Sequence, residues 1–162
     1  MIFIGVRHDL NLLPVFPKPF PYRYSFREAV SGLPDEEDVH QLTERMTRWW
    51  EMTPPGQTLS KGSLKVEGHV SCMSQAKVAW DMPCSTMTAH GGYGGLYHPQ
   101  IPRPLSLREL MRIASFPDDF EWLGTAADRQ RGMGNSVPPL MMKAIAESIR
   151  DEIFRGCNAI NK

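Results

Sequence analysis

Two stretches of this chain carry residues whose types and spacing could do chemistry. The first is Asp81-Met82-Pro83-Cys84-Ser85-Thr86-Met87-Thr88-Ala89-His90-Gly91-Gly92-Tyr93-Gly94-Gly95. Hydroxyls at Thr86 and Thr88, an imidazole at His90 and glycines around Tyr93 let a backbone come close to phosphates and present donors to them. The bland alternative is a strand ending in a glycine turn. Gly92-Tyr93-Gly94-Gly95 is not a dinucleotide fingerprint, because no βαβ pattern surrounds it. The second stretch is Arg131-Gly132-Met133-Gly134-Asn135-Ser136-Val137-Pro138-Pro139. It reads as a turn in which Gly132 and Gly134 allow φ > 0 and the close approach of another group, opening a helix that Ser136 caps and Pro138 begins. Free N–H groups at such a helix start favour an anionic group; an ordinary capped helix is the plain alternative. His69 and Cys72 have a metal-like spacing, but no second pair of matching spacing follows, so a zinc site is not expected.

The elements that must position these residues are legible in part. Met1 to Arg7 is a continuous apolar run, as in a strand buried on both faces. Phe16-Pro17-Lys18-Pro19-Phe20-Pro21 is extended and reads as a linker. Ser25 with Glu28 forms a capping box for a short helix that Gly32 stops. Asp35 starts a longer helix, with Glu36, Glu37 and Asp38 in its first turn and Arg45 and Arg48 near its far end. Val39, Leu42, Met46 and Trp49 give its buried face, and Pro54-Pro55-Gly56 ends it. Residues 61–80 read as short strands and turns, with Leu64-Lys65-Val66-Glu67 in alternation.

A second capping box, Ser106 with Glu109, starts a helix whose apolar stripe is Leu107, Leu110, Met111 and Ala114 and which Pro117 closes. From Leu140 onward, Met141, Ala144, Ile145, Ile149 and Ile153 recur at helical spacing, and Gly156 lies where that helix would stop. Trp80 reads as core or interface.

Composition bounds the rest. The 162 residues are 41% hydrophobic with a formal net charge of zero, enough for a modest core. There is no global attraction to nucleic acid or anionic membrane, so any DNA contact needs a locally basic face. Arg103, Arg108, Arg112, Arg129 and Arg131 form the best candidate. Three widely spaced cysteines, no secretory signal and no membrane-length apolar run point to a reduced, cytoplasmic setting.

The wording of the motifs adds a resemblance. Gly134 to Pro139 resembles the tenth motif of the DNA (cytosine-5) methyltransferases, and Arg103 to Phe120 resembles the ninth. Ile2 to Asp9 looks like the second half of the eighth motif. Pro83 to His90 is similar to the end of the target-recognition region, and all four stand in the family's order. The resemblance implies a mixed α/β fold. A small irregular α+β target-recognition domain would stand beside one strand (Ile2 to Val6) and the last helix of an incomplete doubly wound methyltransferase sheet. Its bounds would be 1–18 for sheet and linker, 19–104 for target recognition and 105–162 for the returning ninth- and tenth-motif helices.

The resemblance also assigns roles. Asn135 and Ser136 would help complete the S-adenosylmethionine pocket. Thr86, Thr88, His90, Gly91, Gly92, Tyr93 and Arg103 would touch double-stranded DNA, with Arg103 and Arg108 mainly bracing the recognition region. Gly132 stands where the tenth motif usually has Gln. The family flips a cytosine from the duplex, and a cysteine thiolate attacks the ring so that C5 takes the methyl group. That cysteine sits in Pro-Cys-Gln, supported by Glu-Asn-Val, and neither occurs in this sequence. Cys84 is followed by Ser85 and sits in the wrong place to be the nucleophile.

The expectation is therefore the C-terminal, target-recognising part of a restriction-modification methyltransferase, inactive alone and completed by a missing N-terminal catalytic half. The alternatives are the recognition subunit of a naturally split enzyme and a DNA-binding module without chemistry. An unpaired strand and helix would leave apolar surface exposed or drive self-association.

Overall fold

The computed structural model describes residues 2–34, 40–71, 74–89 and 95–154. They form a mixed α/β chain in two compact units, Met1–Tyr22 with Val137–Lys162, and Arg23–Ser136.

In the larger unit the helices start where local capping chemistry lets them. Ser25 and Glu28 close a reciprocal box over α1 (Phe26–Ala29), and Phe26 is buried in the main core. The next helix, α2 (Glu44–Met52), begins later than the acidic run suggested. Residues 40–43 are not helical, and Thr43 accepts from the Met46 N–H at 3.3 Å as the N-cap. Asp35–Val39 lie outside the described residues. The cap explains the difference, because a Thr oxygen satisfies a free helix donor whereas a run of carboxylates only complements the dipole. Arg45 and Arg48 accordingly sit in the first turn and at the middle of α2, where they bind Glu67 and Glu44. Its buried residues are Trp49 and Trp50, and it ends at Thr53, before Pro54.

The span 61–80, expected to hold short strands and turns, opens with helix α3 (Ser60–Glu67) and reaches a strand only at Ala76–Lys77. Leu64 and Val66, whose alternation suggested a strand, are exposed, while Gly62 and Ser63 are buried. The small residues decide the packing: a Cβ at Gly62 would overlap the Trp49 carbonyl oxygen, so α3 lies directly on the backbone of α2. Gly68, at φ 74°, closes the helix.

The sheet is small. Strands β1 (Ala76–Lys77) and β2 (Leu96–Tyr97) pair in parallel, Ala76 opposite Leu96 and Lys77 opposite Tyr97. Thr58 bridges antiparallel to Ala76 and Pro104 to Tyr97, so four short segments make one platform. Against it pack Phe26, Val78, Leu105, Leu110, Met111, Ala114, Phe116 and Met133. A second cluster gathers Trp50, Leu59 and Tyr97. Lys77 is buried there, its Nζ 3.6 Å from the Trp50 ring centroid and donating to the Trp50 carbonyl at 3.2 Å; burial lowers its pKa.

Helix α4 (Leu107–Ile113) begins at the expected box of Ser106 and Glu109. Helix α5 (Ala126–Asn135) is the main departure. It runs through Gly132, Gly134 and Asn135, where a glycine-rich turn was expected, and it starts at another box, Thr125 with Asp128.

The smaller unit lacks the expected strand. Residues 2–7 pair with no strand among the described residues; Ile2, Ile4 and Val6 are half-buried while Phe3, Gly5 and Arg7 are exposed. A strand buried on both faces needs neighbours for its N–H and C=O groups, and the described residues offer none. Helix α6 (Pro139–Ser148) starts one residue later than expected, with Pro138 as its N-cap and Pro139 as its first residue, then passes into a π-helical turn, Ile149–Phe154. Ile145 and Ile153 are buried, whereas Met141 is exposed. Gly156 lies outside the described residues. No helix among the described residues is long and apolar enough to cross a membrane.

Candidate DNA- and cofactor-binding edge

The two chemistry-bearing stretches meet in the larger unit. At Gly134 a Cβ would stand 2.5 Å from the Ala89 Cα and nitrogen and 2.8 Å from the Thr88 carbonyl carbon. A side chain there is excluded, so the last turn of α5 lies on the backbone of residues 88–89. At Gly95, which has φ 71°, a Cβ would lie 3.0 Å from the Ser74 carbonyl oxygen and 3.2 Å from the Thr88 hydroxyl. Thr88 is therefore enclosed by the start of β2 on one side and by α5 on the other, while Thr86 is exposed. His90, Gly91, Gly92 and Tyr93 lie outside the described residues.

Asn135, the last residue of α5, is exposed beside this contact. Ser136 does not cap the following helix. Its hydroxyl donates back to the Met133 carbonyl at 2.7 Å, and α6 has no side-chain cap. The reason is geometric: α5 extends through Asn135, so Ser136 belongs to its end rather than to the next start. An exposed amide and a hydroxyl with lone pairs to spare fit one polar edge of a ligand site.

The arginines are largely engaged with carboxylates. Arg103 makes two hydrogen bonds to Glu109, at 2.7 and 2.9 Å, and a third to the Pro104 carbonyl. Both partners are mostly buried. Burial pushes the Glu109 carboxyl up, but Arg103 and the Ser106 N–H outweigh it and hold the value low. Arg112 pairs with Asp118, whose carboxyl it holds low, and Arg131 lies 4.0 Å from Asp128. Arg129 donates to the Gly124 carbonyl. Neighbouring carboxylates thus offset much of the expected basic edge.

Cys84 is half-buried against the main core. Burial, and then the charge of Glu109, push its thiol up to about 12. At neutral pH it carries its proton, the wrong state for a nucleophile. His69 rests on Glu67, 3.4 Å from its carboxylate, and no group of three or more potential metal ligands occurs among the described residues. Cys72 lies outside them.

Sequence reasoning missed the residue packed on Gly132. Trp122 lies so close that a Cβ at Gly132 would be 2.5 Å from its Cζ3 atom. A helix written Gly-x-Gly was the available signal, since glycine inside a helix needs a reason.

Residues 1–151 match the family model for C-5 cytosine-specific DNA methylases. The chain belongs to this family. Similar methylases include Type II methyltransferase M.BbvI of Brevibacillus brevis, 30% identical over 92% of this chain. M.NgoFVII of Neisseria gonorrhoeae is likewise 30% identical over 92% of this chain, and M.Sau96I of Staphylococcus aureus is 28% identical over the same share. The chain spans 43%, 44% and 38% of the lengths of these relatives, respectively. This cytosine methylase chain thus corresponds to less than half of each.

Proposed function

We propose that this chain is the C-terminal, target-recognising part of a DNA (cytosine-5) methyltransferase, working with a catalytic part that carries the cysteine nucleophile and the glycine-rich cofactor loop. The observation that carries the reading is the seating of Gly134 on Thr88 and Ala89. It places the segment expected at the cofactor against the segment expected at DNA. Thr86 and Thr88, with His90, Gly91, Gly92 and Tyr93 next to them in sequence, contact DNA, largely at phosphate. Arg103 is assigned a bracing role, supported by its buried pairing with Glu109. Asn135 and Ser136 form one edge of the S-adenosylmethionine pocket, and that cofactor supplies the methyl group. The protonated state of Cys84 supports a nucleophile from outside this chain.

The test is transfer of labelled methyl from S-adenosylmethionine to mixed-sequence duplex DNA. The chain is assayed alone and mixed with a catalytic half, from a relative, that carries the motifs absent here. Transfer only in the mixture is expected. Transfer by the chain alone overturns the reading, and silence in both removes its catalytic content.

A further inference from the structure

The last turn of α5 is gripped from two sides. Gly132 and Gly134 stand two residues apart, about 200° around the helix axis. Gly132 faces the Trp122 ring, and Gly134 faces the backbone of residues 88–89. Between them Met133 is buried in the main core. Trp122 is itself held from behind: its ring centroid lies 5.1 Å from that of Phe116 and 5.2 Å from that of Phe120, both near edge-to-face. Phe116 and Phe120 in turn lie 5.1 Å apart. The buried Trp122 indole nitrogen finds no acceptor among the described residues. The ring is thus seated by shape against a helix with no side chain at that point, and not by a hydrogen bond.

Two tight contacts on opposite faces leave the helix end little freedom to slide or roll. Asn135 is the residue immediately beyond them. We propose that Trp122 is a positioning residue: by wedging α5 against residues 88–89 it sets where Asn135 stands relative to Thr86 and Thr88. This rests on the reading above, in which Asn135 borders the cofactor and the threonines border DNA. It adds a residue outside both sets, acting through packing on Gly132.

The wedge is tested first without activity, by amide hydrogen exchange on the full chain. Trp122→Ala is expected to speed exchange at residues 131–136 by about tenfold or more, with helix α4 unchanged, as a local opening would. Trp122→Phe, which keeps a ring and removes the unpartnered donor, is expected to restore most of the protection. Unchanged exchange in Trp122→Ala overturns the proposal whatever the chain does with DNA. Equal loss of protection across α4 and α5 also overturns it, since Trp122 would then be general core.

The second readout uses the mixture with a catalytic half. Trp122→Ala is expected to raise KM for S-adenosylmethionine by up to about tenfold, the scale of one misplaced hydrogen bond. Its KM for DNA should move less, and Trp122→Phe should recover the cofactor value. A lowered kcat with both KM values unchanged overturns the positioning role. Failure of the wild-type mixture to transfer methyl sinks the methyltransferase reading, while the exchange result still decides the wedge.

Discussion

Glu109 does two jobs with one carboxylate: it closes the N-terminus of α4 at Ser106 and receives the Arg103 fork. Both partners are mostly removed from water, so deleting one strands the other. Glu109→Ala is expected to cost about 3–5 kcal/mol, the range for breaking a buried pair, measured by urea denaturation. The pH dependence has a definite sign. The carboxyl titrates lower folded than unfolded, so its contribution is full above about 4.3, the unfolded value. It is lost as pH falls through the lower folded value. Glu109→Gln should flatten that acid limb of the stability profile. Cys84 gives a second check at this scale. Alkylation by iodoacetamide at pH 8, followed peptide by peptide, should be far slower at Cys84 in the folded chain than in urea, because the protonated thiol is inert. Cys84→Ala should leave methyl transfer by the reconstituted mixture unchanged.

Elements whose start is written in two residues three apart were legible. The Ser25–Glu28 and Ser106–Glu109 boxes each specify their helix through a reciprocal bond that needs nothing distant. Thr125 and Asp128 obey the same rule with a shorter acid, and overlooking them turned the end of α5 into a turn. What stayed hidden was tertiary. The sequence at Gly132 and Gly134 allows a close approach without saying of what, and at Gly62 gives no such sign; each is a place where another backbone or ring comes too close for a Cβ. Each glycine weakens its helix by about 1 kcal/mol relative to alanine, and close packing offsets that. Gly62→Ala should therefore destabilise despite alanine's better propensity, by about 1–3 kcal/mol as for an overpacked core. At this chain length that is a fall in Tm of roughly 2–12 °C. At the candidate site, likewise, the approach of α5 to Thr88 depends on a contact between residues 46 positions apart in sequence. No local spacing encodes that.

At the scale of the whole molecule, apolar side chains remain in water where a partner sheet was expected. In the smaller unit, Phe3 and Leu13 are 85% and 83% exposed, and Phe16, Phe20, Leu140 and Phe154 are also exposed. This surface is expected to bind 8-anilinonaphthalene-sulfonate or to drive concentration-dependent association in sedimentation. A clean monomer that leaves the dye dark would count against it. Adding the catalytic half should quench the dye signal as it restores methyl transfer.

The parallel pairing of β1 with β2 also has a consequence for how the chain is made. An antiparallel hairpin can zip up as soon as its turn leaves the ribosome, but a parallel pair must wait for the chain to travel out and return. The excursion from Lys77 to Leu96 contains no regular helix or strand among its described residues, so local structure does little to shorten it. The Leu96 carbonyl then accepts from the Leu105 N–H. At translation rates of about 5–20 residues per second, the interval between emergence of β1 and of Leu105 is on the order of one to six seconds. During that time the nascent chain displays Ala76 and Val78 without their lids. Slowing synthesis once Leu105 has left the ribosome should raise the soluble yield, and slowing it while β1 is out but Leu96 is still inside should lower it.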